Sequence, residues 1–247
     1  MNIFSAGFSR RLAFALHNPL YTAKALAREI LGTDAQLLAA VSGSDKREIK
    51  AYLNEPLSDR AFYNHLRQSE SVFRKTDVMS ADLYATKVLL QYALVRAAKP
   101  ETILETGVAN GVSTSYILLA LNSNGRGTLH SIEVGDTRFL PEGRQIGWIV
   151  PESLRGRWKL HVGDSRTLLC SVARELAPLD IFIHDSLHTD DHMMFEFENA
   201  FPYLRPGGIL LADDALWNSA FSKFAAQVHA PIAQIIHGVG IMRKSDG

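Results

Sequence analysis

Five short apolar runs, each closing on an acidic residue, place the strongest constraint on how this chain can fold. They are Ile103-Leu104-Glu105, Leu129–Glu133, Leu160–Asp164, Ile181–Asp185 and Ile209–Asp214. Near-continuous apolar runs of this length suit strands of a parallel sheet covered by helices on both faces. Ligands of such sheets bind outside the carboxyl ends of the strands. A row of carboxylates at those ends suits a ligand that is cationic, hydroxyl-rich or metal-bound.

Several classes of function are disfavoured at once. Lys+Arg and Asp+Glu both number 26, and no basic, aromatic-rich extension is evident, so a nucleic-acid partner is not expected. No stretch approaches the roughly 18 apolar residues of a membrane span. The apolar run after Arg10-Arg11 ends at His17-Asn18-Pro19, too early for a signal peptide, and a cytoplasmic location is expected. The single Cys170 excludes an intrachain disulfide and a multi-cysteine zinc site. Among Leu168, Leu169 and Val172 it reads as a packing residue.

The 247 residues suit one large domain, or one domain with a helical extension. Residues 1–98 contain no clear strand and read as several short helices, broken at Asn18-Pro19, Gly32, Ser42-Gly43-Ser44 and Pro56. The last is predicted over Ser80–Ala98 and is closed by Lys99-Pro100. We take this segment as a helical extension and substrate cap, with residues 99–247 as the ligand-binding domain. Phe4, Phe8 and Phe14 would pack on that domain, or on a second copy of the chain through the N-terminal helices.

From Glu101 the pattern becomes strand–helix alternation with right-handed crossovers. Helices are predicted at Val112–Leu121, Ser165–Leu176, Asp190–Leu204 (its last turn kinked by Pro202) and Ser219–Val228. Arg205-Pro206-Gly207-Gly208 reads as a turn into the fifth run. Ile232–Ile236 and Val239–Met242 flank His237-Gly238 as a terminal hairpin. The fold class is therefore α/β. The irregular Arg138–Pro151 connection is a candidate lid.

The first run enters Glu105-Thr106-Gly107-Val108-Ala109-Asn110-Gly111, and Val112-Ser113-Thr114 opens a helix. Gly107 and Gly111 permit tight turning and close approach of backbone to ligand. Glu133 stands about 20 residues further on, where a ribose-binding acid is expected. Dehydrogenases, nucleotide binders and methyltransferases all share such a loop. A dinucleotide pyrophosphate needs positive potential at the helix start, which Glu105 at the loop mouth, with Asp185 and Asp213 near it, would oppose. S-adenosylmethionine carries a sulfonium, an ammonium and a ribose diol, all compatible with carboxylates. Ala109 also stands at the second glycine of the G-x-G-x-x-G dinucleotide fingerprint. Adenosylmethionine is the preferred ligand, and a nicotinamide-dependent oxidoreductase is the alternative.

In this order and spacing the motifs resemble those of class I S-adenosylmethionine-dependent methyltransferases, from about Lys99 to Met242. Glu105-Thr106-Gly107 with Gly111 resembles the family's first motif, Glu133 its ribose-binding acid, and Gly163-Asp164-Ser165 the segment that meets adenine. Leu204–Leu210 resembles the turn and strand after its fourth helix. The resemblance implies a Rossmann-like, mostly parallel seven-stranded sheet with a C-terminal antiparallel hairpin. It also implies a cofactor site drawn from Glu105, Gly107, Gly111, Ser113, Glu133, Asp164, Ser165 and Asp185. Ala109 departs from the family's frequent second glycine.

His184-Asp185-Ser186-Leu187-His188 closes the fourth run, and Asp213-Asp214 ends the fifth. Neighbouring strand ends would bring these acids together, as hard oxygen ligands suited to Mg²⁺ or a related ion. The arrangement resembles metal-dependent small-molecule O-methyltransferases acting on hydroxyls of sugars and natural products. That resemblance implies Asp185, Asp213 and Asp214 as metal ligands. It makes His188 the base, acting with Asp185, and the partner a small-molecule hydroxyl acceptor. Against it stands a metal-free reading, in which Asp185 meets the methionine end of the cofactor and Asp213-Asp214 cap the next turn. His184 reads as structural, and His192 with Asp190-Asp191 as the start of a helix. Zinc shared by His184, His188 and His192 is not expected, because the first lies in a strand and the last in a helix. Trp217-Asn218 and Asp77, Met79, Ser80 and Tyr84 are candidate pocket residues.

Overall fold

A computed structural model describes residues 32–73 and 86–246. Helices α1 (Thr33–Ser42), α2 (Lys46–Ser58), α3 (Arg60–Phe73) and α4 (Thr86–Ala98) precede β1 (Thr102–Thr106). Then follow α5 (Val112–Asn124), β2 (Thr128–Glu133), β3 (Trp158–Val162), α6 (Ser165–Leu176) and β4 (Leu179–His184). The chain continues through α7 (Asp190–Ala200), β5 (Leu204–Ala212), α8 (Ala220–Gln227), β6 (Ile232–Ile236) and β7 (Val239–Arg243). Phe4, Phe8, Phe14, Asp77, Met79, Ser80 and Tyr84 lie outside the described residues. Among the described residues no helix is long and apolar enough to cross a membrane.

The strands form one sheet in the order β3-β2-β1-β4-β5-β7-β6. β1 to β5 run parallel, and β7 inserts antiparallel between β5 and β6. This is the expected sheet with its C-terminal hairpin. Side chains alternate between its faces, as period-2 geometry requires. Ile103, Ile181, Ile183, Ile209 and Leu211 pack with Leu38, Val41, Ile49, Leu94 and Ile117 of α1, α2, α4 and α5. Leu104, Phe182 and Leu210 face Leu169, Met193, Phe197 and Phe224 of α6, α7 and α8. The order reverses at β1, whose neighbours are β2 and β4, and the exits of β1 and β4 therefore stand at the switch point where ligands of such sheets bind.

Several boundaries differ from the sequence expectation. Pro56 is buried inside α2 rather than breaking it; two residues from the helix end, it removes only one intrahelical bond. The helix expected over Asp190–Leu204 stops at Ala200, and Pro202 sits in a 3₁₀ turn over Phe201–Tyr203. The turn expected at Arg205–Gly208 is a register shift inside β5, between the pairs Leu179–Leu204 and Ile181–Ile209. β3 begins at Trp158 and ends at Val162, freeing Asp164 to cap α6 by accepting from Arg166 N–H. Cys170 lies on the flank of α6, its Sγ 3.7 Å from the Tyr203 hydroxyl, while Leu169 and Ala173 take the core positions.

Candidate active site

β1 leads into a loop whose glycines are required sterically. Gly107 has φ +86°, and a Cβ there would lie 2.0 Å from the Asp185 carbonyl oxygen. The exits of β1 and β4 therefore touch through bare backbone, and the Thr106 carbonyl accepts from Asp185 N–H at 2.8 Å. Gly111 has φ +85°, and its Cβ would meet Gly147 Cα at 2.8 Å. Ala109 holds a left-handed φ of 46° without being glycine. The Arg138–Pro151 connection is not a free lid, because it is tied to this loop. Gly147 N–H donates to the Ala109 carbonyl at 2.9 Å and Trp148 Nε1 to Asn110 Oδ1 at 2.7 Å. Gly111→Ala should cost about 1–2 kcal/mol in backbone strain alone and lower the melting temperature. An unchanged melting curve would show that the loop relaxes freely.

Glu133, at the end of β2, accepts from the N–H groups of Val108 and Ala109 at 2.7 and 2.9 Å, both on Oε2. It thus clamps the loop from the end of β2. The expected place of Glu105 at the loop mouth is corrected. It is fully buried beneath the loop, accepting from Ser131 Oγ at 2.6 Å and from Thr114 Oγ1. Burial pushes its carboxyl up to about 7, against those hydrogen bonds. Through these bonds Glu105 ties the end of β1 to β2 and to the first turn of α5. Ser165 is likewise nearly buried, with Oγ 3.1 Å from His192 Nε2. Asp164 stays at the sheet edge as the α6 cap.

At the ends of β4 and β5 the structure brings together Asp185, His188, Asp213 and Asp214. Asp213 N–H donates to the His184 carbonyl at 2.8 Å, which aligns the two strand exits. His188 Nε2 lies 3.8 Å from Asp185 Oδ1 and 3.7 Å from Asp214 Oδ2. Ser113 Oγ, from the first turn of α5, approaches Asp185 Oδ2 at 3.4 Å. Burial, and then the charge of Asp213, push the Asp185 carboxyl well above the usual carboxylate range, although a quarter of its side chain remains accessible. Burial is also the chief cause that raises Asp214. Burial and the neighbouring His184 hold His188 below its ordinary value, against the pull of Asp214 and Asp213. Near pH 7 its imidazole is neutral and can accept a proton.

Two residues that sequence reasoning missed organise this region. Glu196 of α7 is fully buried and accepts from His184 Nδ1 at 2.7 Å, Ser186 Oγ at 2.8 Å, His192 Nε2 at 2.9 Å and Thr106 Oγ1. Against its own burial, the hydrogen bonds from His184 and His192 chiefly hold its carboxyl far below the usual range. An ionised carboxylate only accepts, so His184 and His192 each present an N–H to it. His184 is thus structural, and its ring meets that of His188 edge-on at 5.3 Å. A sequence signal existed: Glu196 shares the buried face of its helix with Met193, Phe197 and Ala200.

The second missed residue is Lys87, in the first turn of α4, whose ammonium donates to Asp213 Oδ2. It left no signal, since its partner lies far away along the chain. Asp213 Oδ1 is buried without a partner. Among the described residues no three His, Cys, Asp or Glu side chains form a ready ligand set for a metal. The mouth of the site is apolar: Leu187, Leu216 and Trp217 are 57%, 66% and 70% exposed, and Trp217 packs on His188 at 5.4 Å. Asn218 turns inward, donating to the His188 carbonyl at 3.1 Å.

Comparison with known proteins supports the reading of the fold. Residues 104–215 match a family described as a methyltransferase domain. The chain is 36% identical over 100 residues to a mycinamicin VI 2''-O-methyltransferase of Micromonospora griseorubida, covering 36% of this chain and 23% of that protein. A demethylmacrocin O-methyltransferase of Streptomyces fradiae is 35% identical over 65 residues, 26% of this chain and 16% of that one. The chain thus spans less than a quarter of either curated relative. The O-methyltransferase TomG from Streptomyces achromogenes, solved with S-adenosylmethionine, superposes with a TM-score of 0.55 at 20% identity, covering 76% of this chain and 90% of that chain.

Proposed function

Taking residues 104–215 as a class I S-adenosylmethionine-dependent methyltransferase domain, we propose that the protein transfers the cofactor's methyl group to a hydroxyl oxygen of a small molecule. The observation that carries this is the meeting of a neutral histidine, His188, with the Asp185 and Asp214 carboxyl groups at the carboxyl ends of β4 and β5. This lies beside the glycine loop in which the cofactor would sit. In the cofactor half, Gly107 and Gly111 let the loop turn tightly against Asp185 and Gly147 and so shape the backbone that the cofactor would lie along. Glu133 takes the ribose hydroxyls, and Asp164 and Ser165 border the adenine. Ser113 and Asp185 face the methionine end, while Glu105 holds the loop in shape.

In the reaction half the acceptor hydroxyl lies against His188 Nε2. Its proton passes to that nitrogen while the O–CH₃ bond forms and the C–S bond breaks. The electron pair returns to sulfur, leaving neutral adenosylhomocysteine. Asp185 and Asp214 stabilise the imidazolium so formed, and alignment of oxygen, methyl carbon and sulfur supplies much of the acceleration. Deprotonation matters because an alkoxide-like oxygen is far more nucleophilic than the alcohol.

The donor chemistry of Asp185, Asp213 and Asp214 fits a hard divalent ion such as Mg²⁺, and the unpartnered, buried Asp213 Oδ1 offers it a free oxygen. Bound there, such an ion would acidify a nearby substrate hydroxyl and neutralise excess carboxylate charge. The O-methyltransferase names of the curated relatives favour a hydroxyl acceptor of natural-product type, sugar moieties included. The apolar rim of Leu187, Leu216 and Trp217 suits an acceptor with one apolar face. Incubation with methyl-labelled S-adenosylmethionine and a panel of hydroxylated natural products should place label on oxygen. Label found only on nitrogen or sulfur acceptors would contradict this reading.

The pH dependence follows from His188. A base works unprotonated, so the rate should climb as pH rises and then level off. The inflection should lie below the ordinary histidine value of about 6.5, because burial holds His188 down. A pH–rate profile in which activity rises only well above that value would assign the base elsewhere.

A further inference from the structure

The ends of β4 and β5 carry three carboxylates, Asp185, Asp213 and Asp214, while the cation bonded to them among the described residues is Lys87. Lys87 does not belong to the sheet. It opens α4, and its side chain reaches across to Asp213, whose own side chain is almost fully enclosed. One oxygen of Asp213 takes the ammonium, and the other is buried with nothing bonded to it. Coulomb attraction from Asp213, Asp185 and Asp214 raises the Lys87 pKa in spite of the desolvation that opposes it, so the ammonium stays charged throughout the working range.

We propose that Lys87 is the built-in counter-ion of this acid cluster and competes with a divalent ion for Asp213. An ammonium seated on Asp213 repels a second cation, and it removes one of the three carboxylates from any shared coordination sphere. Three acidic side chains stand against one ammonium, so an ion entering the cluster finds oxygen donors but must displace Lys87 first. Divalent-ion affinity is therefore set by a residue of the N-terminal helices, and α4 is coupled to the chemistry at the end of β5. Asp213 has two states, one bonded to Lys87 and one free to ligate.

The inference rests on reading the cluster as able to hold a divalent ion, and its test needs no turnover. Mn²⁺ binding to the cofactor-free protein would be followed by electron paramagnetic resonance. Adenosylhomocysteine affinity, measured by calorimetry on the same samples, reports an intact fold and keeps the methyltransferase reading separately testable. Lys87→Gln should tighten Mn²⁺ binding at least 10-fold, since a neutral amide neither repels the ion nor holds Asp213 as firmly. Lys87→Arg, which keeps the charge, should bind Mn²⁺ as wild type does and guards against a Gln variant that fails to fold. Equal Mn²⁺ affinity in wild type and Lys87→Gln, including no binding by either, would overturn the proposal. So would tightening of the same size in Lys87→Arg.

Discussion

Replacing His188 with alanine should lower turnover by about 10²–10⁴-fold, the usual contribution of a positioned general base. The affinity for adenosylhomocysteine should stay at its wild-type value. The split follows from where the residue sits. His188 touches the carboxylates and Trp217 at the mouth of the reaction half, whereas the loop that would hold the cofactor is built by Gly107, Gly111 and Glu133. Asp185→Ala should also abolish turnover, but as the group we propose for the methionine end its loss should weaken cofactor binding modestly. Single-turnover kinetics with calorimetry on the same preparations separates the two effects. Wild-type rates from both variants, sustained in EDTA, would remove both the base and the metal from the mechanism.

Glu196→Ala should destabilise the fold by about 3–5 kcal/mol, the cost of breaking a buried charged pair from one side. For a chain of this size that corresponds to a fall in melting temperature of about 6–20 °C. The cause is that four donors, on Thr106, His184, Ser186 and His192, lose their common acceptor, and all but Ser186 are themselves buried. The effect should depend on pH in a defined direction. The folded-state pKa of Glu196 is depressed, so its stabilisation is fully present above the unfolded carboxylate value of about 4.3 and fades as pH falls below it. Thermal unfolding of both proteins at neutral and acid pH should show the gap narrowing in acid. A gap of the same size at every pH would mean that the lost packing, and not the charge, sets the cost.

Much of the scaffold was legible because it depends on local pattern. Apolar runs such as Ile181–Ile183 can only be buried on both faces, and loops with Gly107 and Gly111 at strand ends can only turn tightly. What was not legible depends on partners distant in sequence. Glu105 reads as a loop-mouth acid until β2 and α5 bring Ser131 and Thr114 over it. Lys87 is one basic residue among many until the fold sets it on Asp213. Glu196 lies between these cases, since a carboxylate on an apolar helix face is visible in the sequence while its four donors are not. The stop of α7 at Ala200 and the shifted register within β5 were hidden for another reason. Pro202 and Gly207-Gly208 mark irregular backbone without saying whether it is a kink, a turn or a bulge.

The central claim is that the glycine loop after β1, with the ends of β2 and β4 beside it, binds S-adenosylmethionine, and titration calorimetry of the full chain with adenosylhomocysteine, run beside NAD, tests it most directly. The account predicts one molecule of adenosylhomocysteine bound per chain, weakened by Glu133→Ala, and no heat from NAD. Saturable NAD binding without adenosylhomocysteine binding would contradict it and return the glycine loop to dinucleotide recognition.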